Sequence, residues 1–230
     1  MGDVSSKGRL FDGFAAVGKA LSSGRRLELL DVLSQGPRSV ERLAGEIGQS
    51  VANTSAHLQV LLAAGLVSTE RDGNRVVYAV AGPSVVALLA ALRVTAEAHH
   101  AAVYRLAADY LGDRGRLEAI TRSELAKRLA STEPPIVWDV RPADEFAAGH
   151  IPGAVSVPPE EVSARLRRLA PASEVVAYCR GCFCVYADDA VRALGRRRGV
   201  RARRLEEGFP EWRSAGLPVA VGAADLDARS

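Results

Sequence analysis

Three cysteines within six positions, at 179, 182 and 184, are the residues best suited to chemistry, and the chain has no others. An apolar run at residues 175–178 precedes Cys179, while a loop containing Gly181 and an apolar, alanine-containing stretch follow it. This pattern predicts a strand, a turn and a helix, with Cys179 on the turn. Backbone N–H groups and a helix N-terminus at such a turn stabilise an anion, so we expect a lowered pKa and a reactive thiolate or persulfide. The alternative is a set of three buried, apolar cysteines.

The composition is typical of a soluble globular protein, and 230 residues are enough for one large domain or two small ones. Residues 2–14 are polar and Gly-rich, and the longest apolar run, 85–92, is far short of the roughly 18 residues that span a membrane. We therefore expect a cytoplasmic protein without a membrane partner, in which cysteines are reduced at rest and more often reactive or metal-binding than structural. The net charge of +3 is too small to indicate nucleic-acid binding by itself.

Two short helices joined by a glycine turn are predicted in the first half of the chain. Residues 39–47 carry an apolar face at helical spacing, with Ser39 as the predicted N-cap, and Gly48 then marks a tight turn. Residues 50–64 form the next helix, with Ser50 as its N-cap. This order is the helix-turn-helix pattern, whose second helix enters the major groove of DNA.

The second of these helices has two different faces. Its apolar side is formed by Val51, Thr54, Leu58, Leu61 and Leu62. Its other side carries small and polar groups, which allow close approach and hydrogen bonds to base edges. The predicted DNA contacts on this turn and helix are Gln49, Ser50, Asn53, Ser55 and His57.

A β-hairpin is predicted directly after the helix-turn-helix. Residues 67–70 and 75–80 have strand character, and the Asp72-Gly73-Asn74 sequence between them is a strong hairpin signal. Arg71 and Arg75 flank the tip. Arginines on such a wing suit phosphate or minor-groove contact, so we include both among the DNA-binding candidates.

The order of helices, turn, helix and hairpin resembles the winged helix of the ArsR/SmtB family of bacterial repressors. The resemblance covers roughly residues 10–110 and rests on Gly24-Arg25-Arg26-Leu27-Glu28-Leu29-Leu30, Ser55-Ala56-His57-Leu58, Ala64-Gly65-Leu66-Val67 and the wing from Asp72 to Tyr78. It implies a homodimer, a recognition helix near residues 50–64 and a partly palindromic operator. A winged helix used for protein contact is the alternative.

The sequence departs from the metal-sensing members of that family. Those members use cysteines on the helix equivalent to residues 39–47, or His and carboxylate groups on terminal helices, whereas no cysteine precedes Cys179 here. His99 and His100 lie on a predicted helix over residues 84–111, but adjacent helical residues face about 100° apart and are poor joint ligands. We therefore predict no metal site there and interpret this helix as a dimer interface, as the resemblance also implies.

The second half of the chain alternates between strands and helices, which predicts a parallel α/β sheet. The predicted strands are 136–140, 152–157, 175–178 and 203–205, and the predicted helices are 121–130, 143–148, 159–169 and 185–198. Cys179 then lies at the carboxyl end of a strand, where α/β proteins place their sites.

This half resembles the rhodanese domain over about residues 118–220. The matching segments are Asp139-Val140-Arg141-Pro142, Glu145-Phe146, Gly149-His150-Ile151-Pro152-Gly153-Ala154, Tyr178-Cys179-Arg180-Gly181 and Glu207-Gly208-Phe209-Pro210-Glu211-Trp212. The family implies a sulfurtransferase whose cysteine takes sulfane sulfur and holds it as a persulfide, and Cys179 is the residue that matches. The two domains in this order resemble ArsR–rhodanese fusion regulators.

The fold class that we predict is therefore a mainly α winged helix-turn-helix with a β-hairpin wing, followed by an α/β rhodanese-like domain with a parallel sheet. The predicted boundaries are 1–112 for the DNA-binding and dimerisation domain, 113–117 for a polar linker, 118–222 for the rhodanese-like domain and 223–230 for a tail.

Within the second domain we predict Cys179 as the nucleophile and Gly181 as a residue that serves the loop backbone. Arg180 either orients an anionic donor or is an outward, solvated side chain. Asp139 and Arg141 are predicted to form a structural pair that braces the loop.

Cys182 and Cys184 depart from the rhodanese pattern, because thiosulfate sulfurtransferases of that family often carry a basic residue where Cys184 stands. This weakens the case for thiosulfate. Either cysteine could instead attack a persulfide on Cys179 and give a disulfide or a polysulfide bridge, which suits a sensor. A tetrahedral metal site usually has four ligands, so three neighbouring thiolates would better suit a soft metalloid.

The function that we predict is a homodimeric transcriptional repressor that binds operator DNA and responds to reactive sulfur at Cys179. Its partners would be the operator and a sulfane sulfur donor, either a persulfide, a polysulfide or thiosulfate. No cofactor and no metal site are predicted. Two alternatives stay open: a sulfurtransferase enzyme whose DNA-binding domain serves dimerisation or location, and a metalloid-responsive regulator that uses the three loop cysteines.

Overall fold

The computed structural model describes residues 4–73 and 75–222, and the side chains of Val4, Ser5 and Asp72 are outside the description. The chain forms two compact units, Met1–Leu89 and Ala90–Ser230. The linker predicted at 113–117 lies within the second unit. Asn74 of the predicted hairpin turn and the predicted tail at 223–230 lie outside the described residues.

The first unit is a winged helix-turn-helix, as predicted. Its elements are α1 (Val4–Leu21), α2 (Gly24–Ser34), β1 (Arg38–Ser39), α3 (Val40–Glu46), α4 (Val51–Ala63), β2 (Val67–Asp72) and β3 (Arg75–Val80). The three strands form a small antiparallel sheet in the order β1-β3-β2. The predicted helix starts are confirmed, since Ser39 Oγ accepts the Arg42 N–H at 3.4 Å and Ser50 Oγ accepts the Asn53 N–H at 3.2 Å.

The core of the first unit comes from leucines spaced at helical intervals. Fully buried leucines on α2, α3 and α4 pack together as Leu29, Leu30, Leu33, Leu43, Leu58 and Leu61. Gly48 has φ +63°, a left-handed conformation that lets the chain turn between α3 and α4 without a Cβ penalty. The turn and the shared core together fix the orientation of α4 relative to α2 and α3.

The prediction of one long helix over residues 84–111 is wrong in one respect, because this segment forms two helices. These are α5 (Pro83–His99), which crosses from the first unit into the second, and α6 (Ala101–Leu111). His100 takes an extended conformation with φ −117° and ψ 94°. Its N–H still donates to the Ala96 carbonyl at 2.9 Å, while its own carbonyl accepts the Val103 N–H at 2.8 Å. His100 therefore lies between the two helices and occupies the N-cap position of α6.

The second unit is built around the predicted parallel sheet. After α6, its elements are β4 (Ala119–Ile120), α7 (Arg122–Leu129), β5 (Ile136–Asp139), α8 (Ala143–Ala148), β6 (Val155–Ser156), α9 (Val162–Arg168), β7 (Glu174–Tyr178), α10 (Tyr186–Gly195), β8 (Arg201–Leu205) and α11 (Phe209–Ser214). Five strands pair in parallel in the order β4-β8-β7-β5-β6. The short strand β4 was not predicted.

Strand alternation in β7 distributes side chains between two cores, one on each side of the sheet. Val175, Ala177 and Cys179 pack in one core with apolar residues of α10, whereas Val176 and Tyr178 pack in the other. The central position of β7 and the alternation therefore direct the Cys179 side chain toward α10.

No helix in the described part of the chain has the length and apolar character that a membrane crossing requires.

Candidate active site and nucleic-acid interface

Cys179 lies directly after the central strand β7, at the start of a loop that leads into α10. Its side chain is 3% exposed. The thiol donates weak hydrogen bonds to the carbonyl oxygens of Gly181, at 3.8 Å, and Cys184, at 3.5 Å. On the other side of the loop, the carbonyl oxygen of Cys179 accepts the Phe209 N–H at 3.1 Å. Cys179 is thus bonded to its own loop through the thiol and to the start of α11 through its carbonyl oxygen.

The lowered pKa expected for Cys179 is wrong. Burial raises its pKa well above the ordinary value for cysteine, and the hydrogen bond and charge of Cys184 raise it further. Hydrogen bonds from the backbone of Gly181 and Ala187 act in the opposite direction but do not overcome burial. The turn supplies the expected backbone donors, but the effect of burial on the pKa of Cys179 is larger than theirs.

Cys184 has the more acidic thiol of the pair. A hydrogen bond from the Cys179 thiol lowers the pKa of Cys184 to about 7, against the effect of burial. Cys184 is also only partly buried, whereas Cys179 is buried. At neutral pH the site therefore combines a protonated thiol at Cys179 with a thiol at Cys184 that is close to half ionised.

Arg180 faces the interior of its own unit. Its Nε donates to Glu145 Oε2 at 3.1 Å, and the Glu145 side chain is fully buried while that of Arg180 is 27% exposed. The interpretation of Arg180 as an outward, solvated side chain is therefore wrong. Glu145 belongs to the quoted rhodanese motif, but the sequence alone did not identify it as the partner of Arg180.

Glycines allow the loop to pack closely against the start of α11. Gly181 has φ +154°, a conformation that L side chains rarely adopt. A Cβ added to Gly208 would lie 2.4 Å from the Gly181 Cα, so only glycine fits there. The loop role predicted for Gly181 has this geometric basis, and Gly208 is a further site residue that the sequence analysis did not single out.

The predicted Asp139–Arg141 pair is confirmed. Arg141 Nη2 lies 2.5 Å from Asp139 Oδ2, and both side chains are fully buried. The guanidinium also donates to the Gly149 carbonyl at 2.7 Å, and its carbon lies 4.1 Å from the centre of the Phe209 ring. Since the Phe209 N–H binds the Cys179 carbonyl, this contact links the pair to the cysteine loop.

Arg114 is a site residue that the sequence analysis assigned only to a polar linker. Its Nε lies 2.6 Å from Asp188 Oδ2 on α10, and its Nη2 donates to the Cys184 carbonyl at 3.0 Å. Its Nη1 donates to the Cys182 carbonyl. The partners lie about 70 residues further along the chain, so no local sequence signal could have identified them.

The three cysteines do not assemble into a metal site in this fold. Among the described residues, no group of three or more His, Cys, Asp or Glu side chains is arranged to hold a metal ion.

The predicted DNA-binding residues occupy the surface of the first unit. On α4, Ser50 and Asn53 are exposed and Ser55 and His57 are partly exposed, as is Gln49 in the preceding turn. Thr54, Leu58 and Leu61 are fully buried on the opposite side. Val51 was assigned to that apolar side but is 46% exposed, because it occupies the first helical position, at the rim of the core.

The wing places its two arginines near the hairpin tip. Arg71 on β2 pairs in register with Val76, and Arg75 on β3 pairs with Asp72. Both arginines are exposed. An exposed recognition helix beside a basic wing is the arrangement that DNA-binding winged helices use.

Fold and sites together define a regulator that combines a DNA-binding winged helix with a rhodanese-like domain. A family model described as "Bacterial regulatory protein, arsR family" matches residues 23–69, and one described as "Rhodanese-like domain" matches residues 121–215. The chain belongs to the ArsR-family transcriptional regulators that carry a C-terminal rhodanese domain.

Individual relatives match the whole chain or one of its halves. The HTH-type transcriptional regulator Rv0324 of Mycobacterium tuberculosis is 47% identical over 222 residues, which are 96% of this chain and 96% of that protein. A sulfurtransferase of Allochromatium vinosum is 32% identical over 44% of this chain and 92% of its own length. The solution structure of a homodimeric winged helix-turn-helix DNA-binding domain, Mb0332 from Mycobacterium bovis, is 44% identical over 44% of this chain and 93% of that chain, with a TM-score of 0.41.

Proposed function

We propose that this protein is a homodimeric repressor whose operator affinity is controlled by reactive sulfur at the cysteine loop. The observation that carries the proposal is a pair of neighbouring cysteines, Cys179 and Cys184, in a rhodanese loop, where the Cys179 thiol donates to the Cys184 carbonyl oxygen at 3.5 Å. This pair belongs to the same chain as an ArsR-type winged helix that contains no cysteine of its own. The reactive group and the DNA-binding surface are thus divided between two units.

Dimerisation is supported by the surface of α1 as well as by the family. Leu10, Phe11 and Phe14 are between 56% and 59% exposed on this helix. Contiguous apolar side chains of this kind are typical of protein interfaces. A two-fold dimer would present two copies of α4 to successive major grooves, which matches a partly palindromic operator.

The sulfur chemistry begins at Cys179, with Cys184 as its base. The Cys184 thiolate accepts the proton of the Cys179 thiol while the Cys179 sulfur attacks the outer sulfur of a persulfide, R–S–SH. The S–S bond of the donor breaks, R–S⁻ leaves, and Cys179 becomes a persulfide. This division of roles explains how a buried thiol with a raised pKa can act as a nucleophile.

A second step would convert the persulfide into a bridge. After Cys184 ionises again, its sulfur attacks the inner sulfur of the Cys179 persulfide, a disulfide forms, and HS⁻ leaves. Both steps balance without an external oxidant other than the sulfane sulfur donor. The disulfide would persist after the sulfur donor is consumed, so the regulator would stay in its sulfur-responsive state until the bridge is reduced.

The proposal is tested by operator binding before and after treatment with polysulfide. We expect the wild-type protein to lose operator affinity by a factor of about 5–150, the range of typical allosteric couplings. The Cys179→Ser variant should bind operator like the untreated wild type and should not respond. Cys182→Ser is the matched control and should respond normally. Release of DNA by the Cys179→Ser variant would refute sensing at this residue.

A sulfurtransferase function is the second candidate, and the buried cysteine with backbone donors favours it. In that case Cys179 would turn over repeatedly with a persulfide donor and a thiol acceptor. Steady release of transferred sulfur would support an enzyme, whereas a single stoichiometric loading per chain, measured by intact-protein mass, would support a sensor.

A further inference from the structure

We infer that Arg114 is a positioning residue that transmits the state of the cysteine loop to the segment that connects the two family-matched regions. This inference rests on the proposed function and names the route of its regulation. Arg114 lies outside both matched ranges, 23–69 and 121–215. It lies shortly after α6, which ends at Leu111, in a short 3₁₀ turn over Arg114–Arg116.

One guanidinium holds three groups of the loop and helix at once. Arg114 donates to the carbonyl oxygens of Cys182 and Cys184 and forms an ion pair with Asp188 at 2.6 Å. The Arg114 side chain is 13% exposed and that of Asp188 is 1% exposed. Arg114 is the nearer of two cations at this buried carboxylate, because Arg204 Nε lies 3.9 Å from its other oxygen. Separation of a buried carboxylate from its nearest cation is costly, so the protein favours the arrangement in which Arg114 contacts Asp188.

The contact joins Arg114 to the reactive sulfur through one shared atom. The Cys184 carbonyl oxygen accepts the Arg114 Nη2 at 3.0 Å and the Cys179 thiol at 3.5 Å. When Cys179 carries an anionic persulfide, it no longer donates to this oxygen and repels it instead. The Cys184 carbonyl oxygen, which accepts from Arg114, therefore loses its hydrogen bond from Cys179 in the same step that loads the sulfur.

Sulfur loading also needs space that the reduced loop does not provide. Cys179 is 3% exposed and packs among core residues, and an added sulfur atom extends about 2.05 Å from the first. A bridge to Cys184 would draw that residue toward Cys179. Either change displaces residues 182–184, to which two of the three Arg114 contacts are made. The guanidinium must then follow or lose these bonds, and in both cases residues 112–117 respond.

The first experiment measures amide hydrogen exchange of residues 112–117 in the full-length protein. Exchange in the wild type should rise at least fivefold when polysulfide loads the loop. In Arg114→Gln it should be fast before loading and should change less than twofold. Arg116→Gln is the matched control, since Arg116 lies in the same turn with a side chain that is 86% exposed, and it should behave like the wild type. Equal exchange in reduced and loaded wild type would overturn the inference.

The second experiment measures operator affinity of the reduced and polysulfide-loaded forms of the same variants. The ratio of the two affinities should be about 5–150 in the wild type and Arg116→Gln, and within a factor of two of unity in Arg114→Gln. Intact mass should show equal sulfur loading in all three. A normal ratio in Arg114→Gln would overturn the role of Arg114, whereas a ratio of one in the wild type would overturn the proposed function itself.

Asp188→Asn provides an independent variant in case Arg114→Gln does not fold. It removes the charge that seats the guanidinium while it preserves the shape of the side chain. We expect the same loss of response in residues 112–117 and in operator affinity. A normal response in this variant would contradict the role of the ion pair.

Discussion

The thiol of Cys179 and the guanidinium of Arg114 donate to the same acceptor, the carbonyl oxygen of Cys184. The proposed nucleophile and the segment before the rhodanese-like domain therefore meet at a single backbone atom. An electronic change at the sulfur, which is loss of its proton, acts directly on an atom that a distant part of the chain also binds. This relationship gives the proposed sensor a physical path from chemistry to conformation.

The first prediction concerns Cys184 as the base for Cys179. Because the pKa of Cys184 is about 7, its thiolate is present above that pH and is lost as the pH falls. The rate of sulfur loading at Cys179 should therefore fall below pH 7. In Cys184→Ser, loading at pH 7.5 should be slower by about 100-fold or more, a typical effect of losing a general base.

The control for this prediction is Cys182→Ser, and the measurement is the rate of persulfide formation by quenched-flow mass spectrometry. The control should retain both the rate and its pH dependence. An unchanged rate in Cys184→Ser would show that Cys179 ionises without help from its neighbour.

The second prediction concerns the buried Asp139–Arg141 pair. Arg141→Met leaves a carboxylate that is fully buried without its partner, so the free energy of unfolding should fall by about 3–5 kcal/mol. Urea unfolding provides the measurement. Arg192→Met is the matched control, because the side chains of its pair with Asp189 are 35% and 67% exposed and such a pair should be worth about 0–1 kcal/mol. Similar losses in both variants would contradict the bracing role.

The third prediction concerns the close approach of Gly208 to the cysteine loop. Gly208→Ala places a Cβ within 2.4 Å of the Gly181 Cα, so the backbone must move apart. We expect a loss of about 1–3 kcal/mol in stability, typical of overpacking, and a reduced rate of sulfur loading at Cys179.

Gly195→Ala is the comparison for this overpacking, because a Cβ at that helical position meets no atom within 4 Å. It should leave loading unchanged and stabilise the fold by up to about 1 kcal/mol. Normal loading in Gly208→Ala would mean that the loop does not depend on this contact.

The fourth prediction separates the recognition helix from the wing. Asn53→Ala should weaken operator binding by about 1–3 kcal/mol and leave binding to random duplex nearly unchanged, since an amide side chain reads base edges. Arg75→Ala should weaken both and lower the salt dependence by about one counterion. Fluorescence titrations over a salt series provide the measurement. Equal effects of the two variants on operator and random DNA would contradict these roles.

Local sequence patterns predict much of this fold because the determinants are local. Ser39 and Ser50 cap α3 and α4 where predicted, and the continuous apolar run at residues 175–178 identifies β7. The break at His100 was not predicted, because neither Gly nor Pro marks it. The two helices flanking it are rich in alanine and leucine, which favour the helix on both sides of the break.

The sequence predicts which residues form the candidate site better than it predicts the pKa values of its thiols. The Tyr178-Cys179-Arg180-Gly181 motif identifies Cys179, and the Asp139-Val140-Arg141-Pro142 motif identifies the Asp139–Arg141 pair. The pKa order of the two thiols depends on burial by residues of α10 and on the Cys179–Cys184 hydrogen bond, which only the folded chain defines. The Arg114–Asp188 contact likewise joins residues too distant in sequence for any periodic pattern to relate them.

Sulfur control of operator binding is best tested by a titration in which operator-bound wild-type protein receives increasing polysulfide. Each sample is divided between anisotropy of labelled operator and intact mass of the protein. We predict that the fraction of DNA released rises in step with the fraction of chains that carry sulfur at Cys179 or a Cys179–Cys184 bridge. Fully loaded protein that remains bound to its operator, or release before any loading, would show that sulfur at Cys179 does not control operator binding.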